Sequence, residues 1–218
     1  MSEALNTIRA DFDPTQLPGD ATAREAALAR FEKTGWPTRK QEEWKYTSLH
    51  TLSETPLNLP TAGTLTALPA GATIKGLEAY RLVFTDGRFD QTLSQEGELP
   101  EGVTLGNLAG HWQDCDQDVG TALAALNQAT ASDGLYLEIA DGVTLDRPIH
   151  LLCIANTANT ENTLLPLRHH IRLGRNAAAT LIEHYLYSDQ YGDDEPIYYR
   201  NVVLDIALAD GANLNHTR

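Results

Sequence analysis

The sequence predicts a mainly β protein with a small α-helical domain at its N-terminus. Three observations carry that expectation. Helix-capping patterns and helical spacing of apolar residues are confined to the first fifty residues and one later stretch. Between Ser53 and Gly71 the composition shifts abruptly to Pro56, Pro60, Gly63, Pro69 and Gly71 with scattered Thr, which is linker chemistry. Beyond it, apolar residues recur every second position, and a strand-and-corner pattern repeats three times. The expected division is a helical domain with linker over 1–72 and a strand-rich unit over 73–218, with one interposed helix at about 118–130.

At the N-terminus, Thr22-Ala23-Arg24-Glu25 has the form of a capping box, in which a hydroxyl and a carboxylate satisfy orphan backbone donors at a helix start. Leu28 and Phe31 fall three apart on one face, and Gly35 stands where a left-handed cap stops the helix. Thr38-Arg39-Lys40-Gln41 repeats the capping form after Pro37, so a second short helix is expected to carry Trp44 near its end. Trp36, Trp44 and Tyr46 are expected to close a small aromatic core, with Trp44 mostly buried among them and Leu49.

After the linker, Asp86-Gly87 between Leu82-Val83-Phe84 and Arg88-Phe89 signals a two-residue hairpin turn. Asp118 precedes Val119, Ala122, Leu123 and Leu126 at helical spacing, which predicts one helix ending before Asp133-Gly134. The remainder reads as strand. Ile139-x-x-Gly142-Val143-x-Leu145 recurs as Leu173-x-x-Asn176-Ala177-x-Ala179 and as Leu208-x-x-Gly211-Ala212-x-Leu214, at offsets of 34 and 35 residues. Each copy joins an apolar strand end to a residue tolerant of positive φ and then a small or apolar inward residue. Polar excursions at 156–163 and 188–195 are expected to bulge as loops. The period suits a solenoid of stacked coils or a β-sandwich, and periodicity alone leaves both open.

A net charge of −14, from 30 acidic against 16 basic residues, repels phosphate backbones and anionic lipid. Nucleic acid is therefore excluded as an expected partner. The first twelve residues lack the apolar run of a signal peptide, and the longest apolar stretch, Ile149 to Ala155, is far too short to span a bilayer, so a cytoplasmic protein with no membrane association is expected. The two cysteines, Cys115 and Cys153, have no metal-ligand spacing. Cys153 reads as a small buried strand residue, and Cys115 sits between Asp114 and Asp116, whose charge blunts a thiol. No G-x-x-x-x-G-K-[ST], G-x-S-x-G or G-x-G-x-x-G occurs, so no ATP hydrolysis by this chain is expected.

Histidine and acidic residues offer Glu183-His184, His169-His170 and Asp193-Asp194-Glu195 as candidate ligands. Adjacent strand residues point to opposite faces and cannot chelate one ion together, and an acidic run beside Gly192 and Pro196 reads as a solvated loop tip. No resident metal or cofactor is expected; Glu183, His184 and His216 stand as weak candidates for lining a groove of the strand unit.

Several motifs carry a family resemblance. Pro37-Thr38-Arg39-Lys40-Gln41-Glu42-Glu43-Trp44-Lys45-Tyr46-Thr47 resembles the N-terminal motif of the SufD family, scaffold subunits of the SUF iron–sulfur cluster assembly machine. Four further stretches match in the same order: Phe84 to Asp90, Asp141-Gly142-Val143 through Arg147 to Leu152, Ile182 to Tyr185, and Gly211 to His216. The resemblance runs from about Gly35 onward. It implies a right-handed parallel β-helix, here truncated, and a non-catalytic scaffold that pairs with a SufB-like subunit while a separate SufC-like ATPase binds ATP and the complex handles the cluster. Arg39, Glu42, Trp44, Lys45 and Tyr46 are then the motif or interaction residues, with a capped, packed turn as the plainer reading of them. The family continues into further coils and a C-terminal domain. This chain ends mid-strand at Arg218, so it is expected to be an N-terminal fragment that self-associates through an open end at Val202 to Leu214.

A carbohydrate-active β-helix enzyme, a lyase or esterase, needs carboxylates stacked on successive coils. Asp141 and Asp210 recur at equivalent places, but Arg175 breaks the ladder. A hexapeptide-repeat acyltransferase needs a six-residue period that the strand region lacks.

Overall fold

The computed structural model describes residues 2–61, 63, 65–115, 120–156, 162–188 and 198–218, with the side chains of 113–115 left aside. In chain order the elements are α1 (Glu3–Asp11), α2 (Ala21–Thr34), α3 (His50–Ser53), β1 (Tyr80–Thr85), β2 (Arg88–Phe89), β3 (Val103–Asn107), α4 (Ala122–Thr130), β4 (Leu135–Ile139), β5 (Ile149–Ala155), β6 (Thr163–Leu173), β7 (Ala178–Tyr187), β8 (Tyr198–Leu208) and β9 (Asn213–Thr217). Short 3₁₀ turns lie at Pro14–Gln16, Glu42–Trp44 and Leu108–Cys115.

The strands form a five-stranded sheet ordered β2-β1-β5-β7-β9 and a four-stranded sheet ordered β3-β4-β6-β8. From β4 onward consecutive strands alternate between the sheets; β5 pairs in parallel with β1, and from β6 onward each strand pairs in parallel with the strand two before it. At the other end, β2 pairs antiparallel with β1, and β3 with β4. Inward residues of both sheets, among them Tyr80, Leu82, Phe84, Leu137, Leu151, Ile171 and Leu181, form one apolar layer.

The helices cover the four-stranded sheet. On α2, Arg24, Ala27, Leu28 and Phe31 lie at helical spacing on the buried face. They join Ala4, Leu5 and Ile8 of α1, Leu126 and Ala129 of α4, Leu57, and Leu164 of β6 in a second core. Asp20, and not Thr22, caps α2: its carboxylate accepts from the Ala23 amide at 2.7 Å, because helical geometry begins two residues earlier than the box pattern implies. Gly35 ends the helix at φ 73° as expected. Arg24 is fully enclosed. Its guanidinium donates to the carbonyls of Pro18, Gln128 and Ala129 and lies 4.2 Å from the Trp112 ring, so one cation satisfies the C-terminal carbonyls of α4. Asn127 of the same helix donates to the Leu167 and Asn201 carbonyls, pinning α4 to β6 and β8.

The expectation of a mainly β chain built as a right-handed parallel β-helix is overturned. The architecture is mixed α/β, with two parallel-rich sheets and four α-helices, and no solenoid is present among the described residues. The repeat itself is real: Ile139 pairs with Leu173 and Leu173 with Leu208, and Gly142, Asn176 and Gly211 all adopt positive φ. It reports register between alternate strands over 139–214 only. The antiparallel pairs and the packed helices lie outside that window, where the periodicity carries no information.

Other sequence expectations resolve locally. Asp86 and Gly87 at φ 49° and 78° form the hairpin turn, with Phe84 opposite Phe89. The interposed helix starts later than expected, capped by Thr121, whose hydroxyl accepts from the Ala124 amide; Asp118 and Val119 lie outside the described residues. Most of the two loop excursions and the acidic run Asp193-Asp194-Glu195 also lie outside them. No described helix is long and apolar enough to cross a membrane.

Candidate functional site

The polar groups that the fold draws together lie between the sheets, at the end where β8 and β9 form the edges. Along β7 the residues Ala179, Leu181 and Glu183 face inward, so the alternation that buries two apolar residues also carries a carboxylate into the interior. The Glu183 side chain is fully enclosed. Its Oε2 accepts from the Tyr185 hydroxyl at 2.8 Å, and its Oε1 lies 3.1 Å from His216 Nε2 on β9. That second contact lacks hydrogen-bond geometry. Arg218 adds a cation 3.7 Å from Oε2 and lies 4.7 Å from the Tyr185 ring.

Cys153 of β5 pairs in register with Tyr185 and is 4% exposed. Burial pushes its thiol well above the usual range, and the charge of Glu183 raises it further. Burial likewise raises the Tyr185 hydroxyl. Across the interior, His169 of β6 accepts from the Leu135 amide through Nδ1 at 2.9 Å, and burial depresses it to about 3. The arrangement is a neutral imidazole, a protonated thiol and phenol, and one compensated carboxylate. It can hold charge and protons in place, and it holds no activated nucleophile. Among the described residues no group of three His, Cys, Asp or Glu could hold a metal ion.

Of the weak candidates, Glu183 and His216 are thus brought together, whereas His184 points to the opposite face. There its ring stacks on His150 at 5.7 Å. The 37–47 motif lies apart from all of these. Arg39 Nε donates to the Lys45 carbonyl at 3.2 Å, Lys45 Nζ is 4.0 Å from Glu42, and Lys45 lies 5.5 Å from the Tyr46 ring. The expected aromatic core is corrected here: Tyr46 is 88% exposed and Trp44 only half-buried. Trp36 alone packs inward, edge-on to Phe31 at 5.2 Å and against Tyr199, with its indole N–H on Ser2. A one-turn 3₁₀ segment is too short to turn three aromatics toward one side. The Gln41 side chain does accept from the Thr38 amide, which is the reciprocal half of a capping box.

Sequence reading missed Tyr185 and Arg218, and weighed His169 only as half of a His169-His170 ligand pair. Tyr185 was recoverable two residues from Glu183 on the same face; His169 shares the inward phase of Leu167 and Ile171; Arg218 needed the β7–β9 register. Arg175 pairs with Asp141 at 2.8 Å and holds that carboxyl below the usual range.

Fold and site together define a two-sheet α/β protein with an enclosed polar cluster and an exposed aromatic–cationic turn. The model of the SufBD protein N-terminal region matches residues 18–151, and the chain belongs to the SufBD family. It is 29% identical over 194 residues to the iron–sulfur cluster assembly protein SufD of Escherichia coli (strain K12), covering 88% of this chain and 44% of that protein. An iron–sulfur cluster assembly SufBD family protein of Synechocystis is 30% identical over 211 residues, covering 89% and 46%. The Arabidopsis thaliana chloroplastic protein ABCI7 is 20% identical over 207 residues, covering 89% and 42%. The chain thus spans about half the length of the curated relatives it matches, and the family resemblance carried by its motifs is borne out.

Proposed function

We propose that this chain supplies the N-terminal region of a non-catalytic, cytoplasmic scaffold subunit in iron–sulfur cluster assembly, acting with a SufB-like subunit and a SufC-like ATPase. The observation that carries the reading is the family match over residues 18–151 joined to two relatives named for cluster assembly. In this reading the cluster is cargo of the whole complex, ATP belongs to the ATPase, and this region holds neither as a cofactor. Two features support it: the buried Cys153 thiol is unsuited to nucleophilic work, and the 37–47 turn presents Lys45 and Tyr46 outward beside a half-buried Trp44, as a protein-docking surface requires.

The test is co-purification of the full-length protein from its own cell. A second SufBD-type subunit and an ABC-type ATPase are expected with it, and Tyr46→Ala with Lys45→Glu is expected to weaken that recovery while leaving the fold intact. Recovery of neither partner with wild type refutes the reading.

A further inference from the structure

A second polar feature lies on the outer face of the five-stranded sheet, away from the enclosed cluster. The segment from Thr73 to Ala79 crosses that face and leaves a cavity of about 330 Å³ walled by Arg81 of β1, His150 of β5, Arg147, Gln95 and Glu78. This volume suits a small molecule. Within a chain of net charge −14, two guanidiniums here face one lining carboxylate.

Their donors are only partly used. Arg81 donates from Nε to the Leu93 carbonyl at 3.2 Å and from Nη2 to Gln95 at 3.3 Å. Arg147 donates from Nη2 to the Glu98 carbonyl at 3.3 Å, sits 3.5 Å from Asp146 through Nε, and lies over the Tyr80 ring at 4.1 Å. Each guanidinium carries five N–H donors, so both keep donors over. Stacking on Tyr80 and bonding to two backbone carbonyls hold the two forks in place before any ligand arrives, which lowers the ordering cost of binding. His150 is 3% exposed, and its Nε2 is buried with no hydrogen-bond partner. A buried polar nitrogen without a partner is costly, and beside two cations it marks a place where a hydrogen-bonding partner is missing.

We infer that this cavity is a binding site for a small oxyanion-bearing molecule, with Arg81 and Arg147 gripping the anionic oxygens and His150 forming its floor. Phosphate esters and carboxylates share the geometry that a guanidinium fork recognises. Glu78 at the rim disfavours loosely held anions, so productive binding is expected only where both forks are engaged.

The experiment is titration of the ¹⁵N-labelled protein with inorganic phosphate and, separately, with succinate at constant ionic strength, following the His150 ring resonances. A saturable shift with one of the two is expected, and whichever saturates identifies the source of the oxyanion. Arg81→Gln and Arg147→Gln are each expected to weaken binding about tenfold or more, as loss of a charge-assisted bond does. His216 and His169 serve as internal references and are expected to stay unmoved. If His150 shows no saturable response to either anion, the inference is overturned, even should a variant fail to fold. Undiminished binding by a folded Arg81→Gln, Arg147→Gln double variant overturns it equally.

Discussion

Glu183 on β7 and His216 on β9 approach to 3.1 Å across a parallel strand pair, with the carboxylate fully enclosed and the imidazole 28% exposed. The asymmetry decides which partner is dispensable. Glu183→Leu removes a buried charge and leaves His216 and Arg218 with access to water, so stability is expected to change by less than about 1 kcal/mol. His216→Ala takes away the polar ring nearest the enclosed carboxylate, leaving Arg218 as its neighbouring cation, and is expected to cost about 1–3 kcal/mol. Urea unfolding of the two variants beside wild type checks the order, and a costlier Glu183→Leu refutes it.

His150 and His169 give the stability a pH dependence whose sign follows from burial. Both are depressed, to about 4 and about 3, from an ordinary value of 6.5. The unfolded chain therefore binds more protons below pH 6.5, and their contribution is complete above that value and lost as pH falls toward the folded values. Each histidine supplies at most about 1.4 kcal/mol per pH unit in that window. Asp86 and Asp133 oppose it at the acid end, since burial raises both and favours the folded state once they protonate. Denaturant midpoints are expected to fall between pH 7 and 5, and His169→Gln to flatten that fall.

Gly134 stands where the backbone meets β6. A Cβ there would fall inside the Arg168 carbonyl, and that carbonyl belongs to a central strand that cannot move aside. Gly134→Ala is expected to cost more than about 3 kcal/mol or to abolish folding, as overpacking against rigid backbone does. A thermal melt overlaying wild type would sink the argument.

The aromatics of the 37–47 region are expected to separate cleanly. Tyr46→Ala removes an exposed ring and should alter stability by less than about 0.5 kcal/mol. Trp36→Ala removes edge contacts to Phe31 and Tyr199 and the bond to Ser2, and should cost about 2–3 kcal/mol. Melting curves distinguish the two directly.

Ile206 and Leu208 remain 40% and 48% exposed on β8, which pairs on one side only among the described residues. Self-association along this edge is expected, with Leu208→Lys shifting light-scattering mass toward monomer. A monomer at every concentration refutes it.

What the sequence made legible was local. The Asp86-Gly87 turn, the Gly35 cap, the burial of Cys153 and the corner residues Gly142, Asn176 and Gly211 each depend on a few neighbouring residues, and each is found as read. The architecture was not legible, because a 35-residue period records register without recording how helices and antiparallel ends complete a fold. The interior cluster was half legible: inward phase placed Glu183, but its meeting with His216 depends on a pairing of strands over thirty residues apart. Arg24 was masked by a capping pattern that fitted Thr22 and Glu25 equally well.

The packing of α2 also bears on how the protein is made. Phe31 and Leu28 are buried against Leu126 and Leu164, residues synthesised roughly 5–25 s later at ordinary elongation rates. Until those residues emerge, Arg24 has no α4 carbonyls to bind, and the apolar face of α2 stays open on the nascent chain. α1 and α2 are thus translated before α4 and β6 and are completed only with them, and an apolar face left open over that interval is the kind of surface through which nascent chains aggregate.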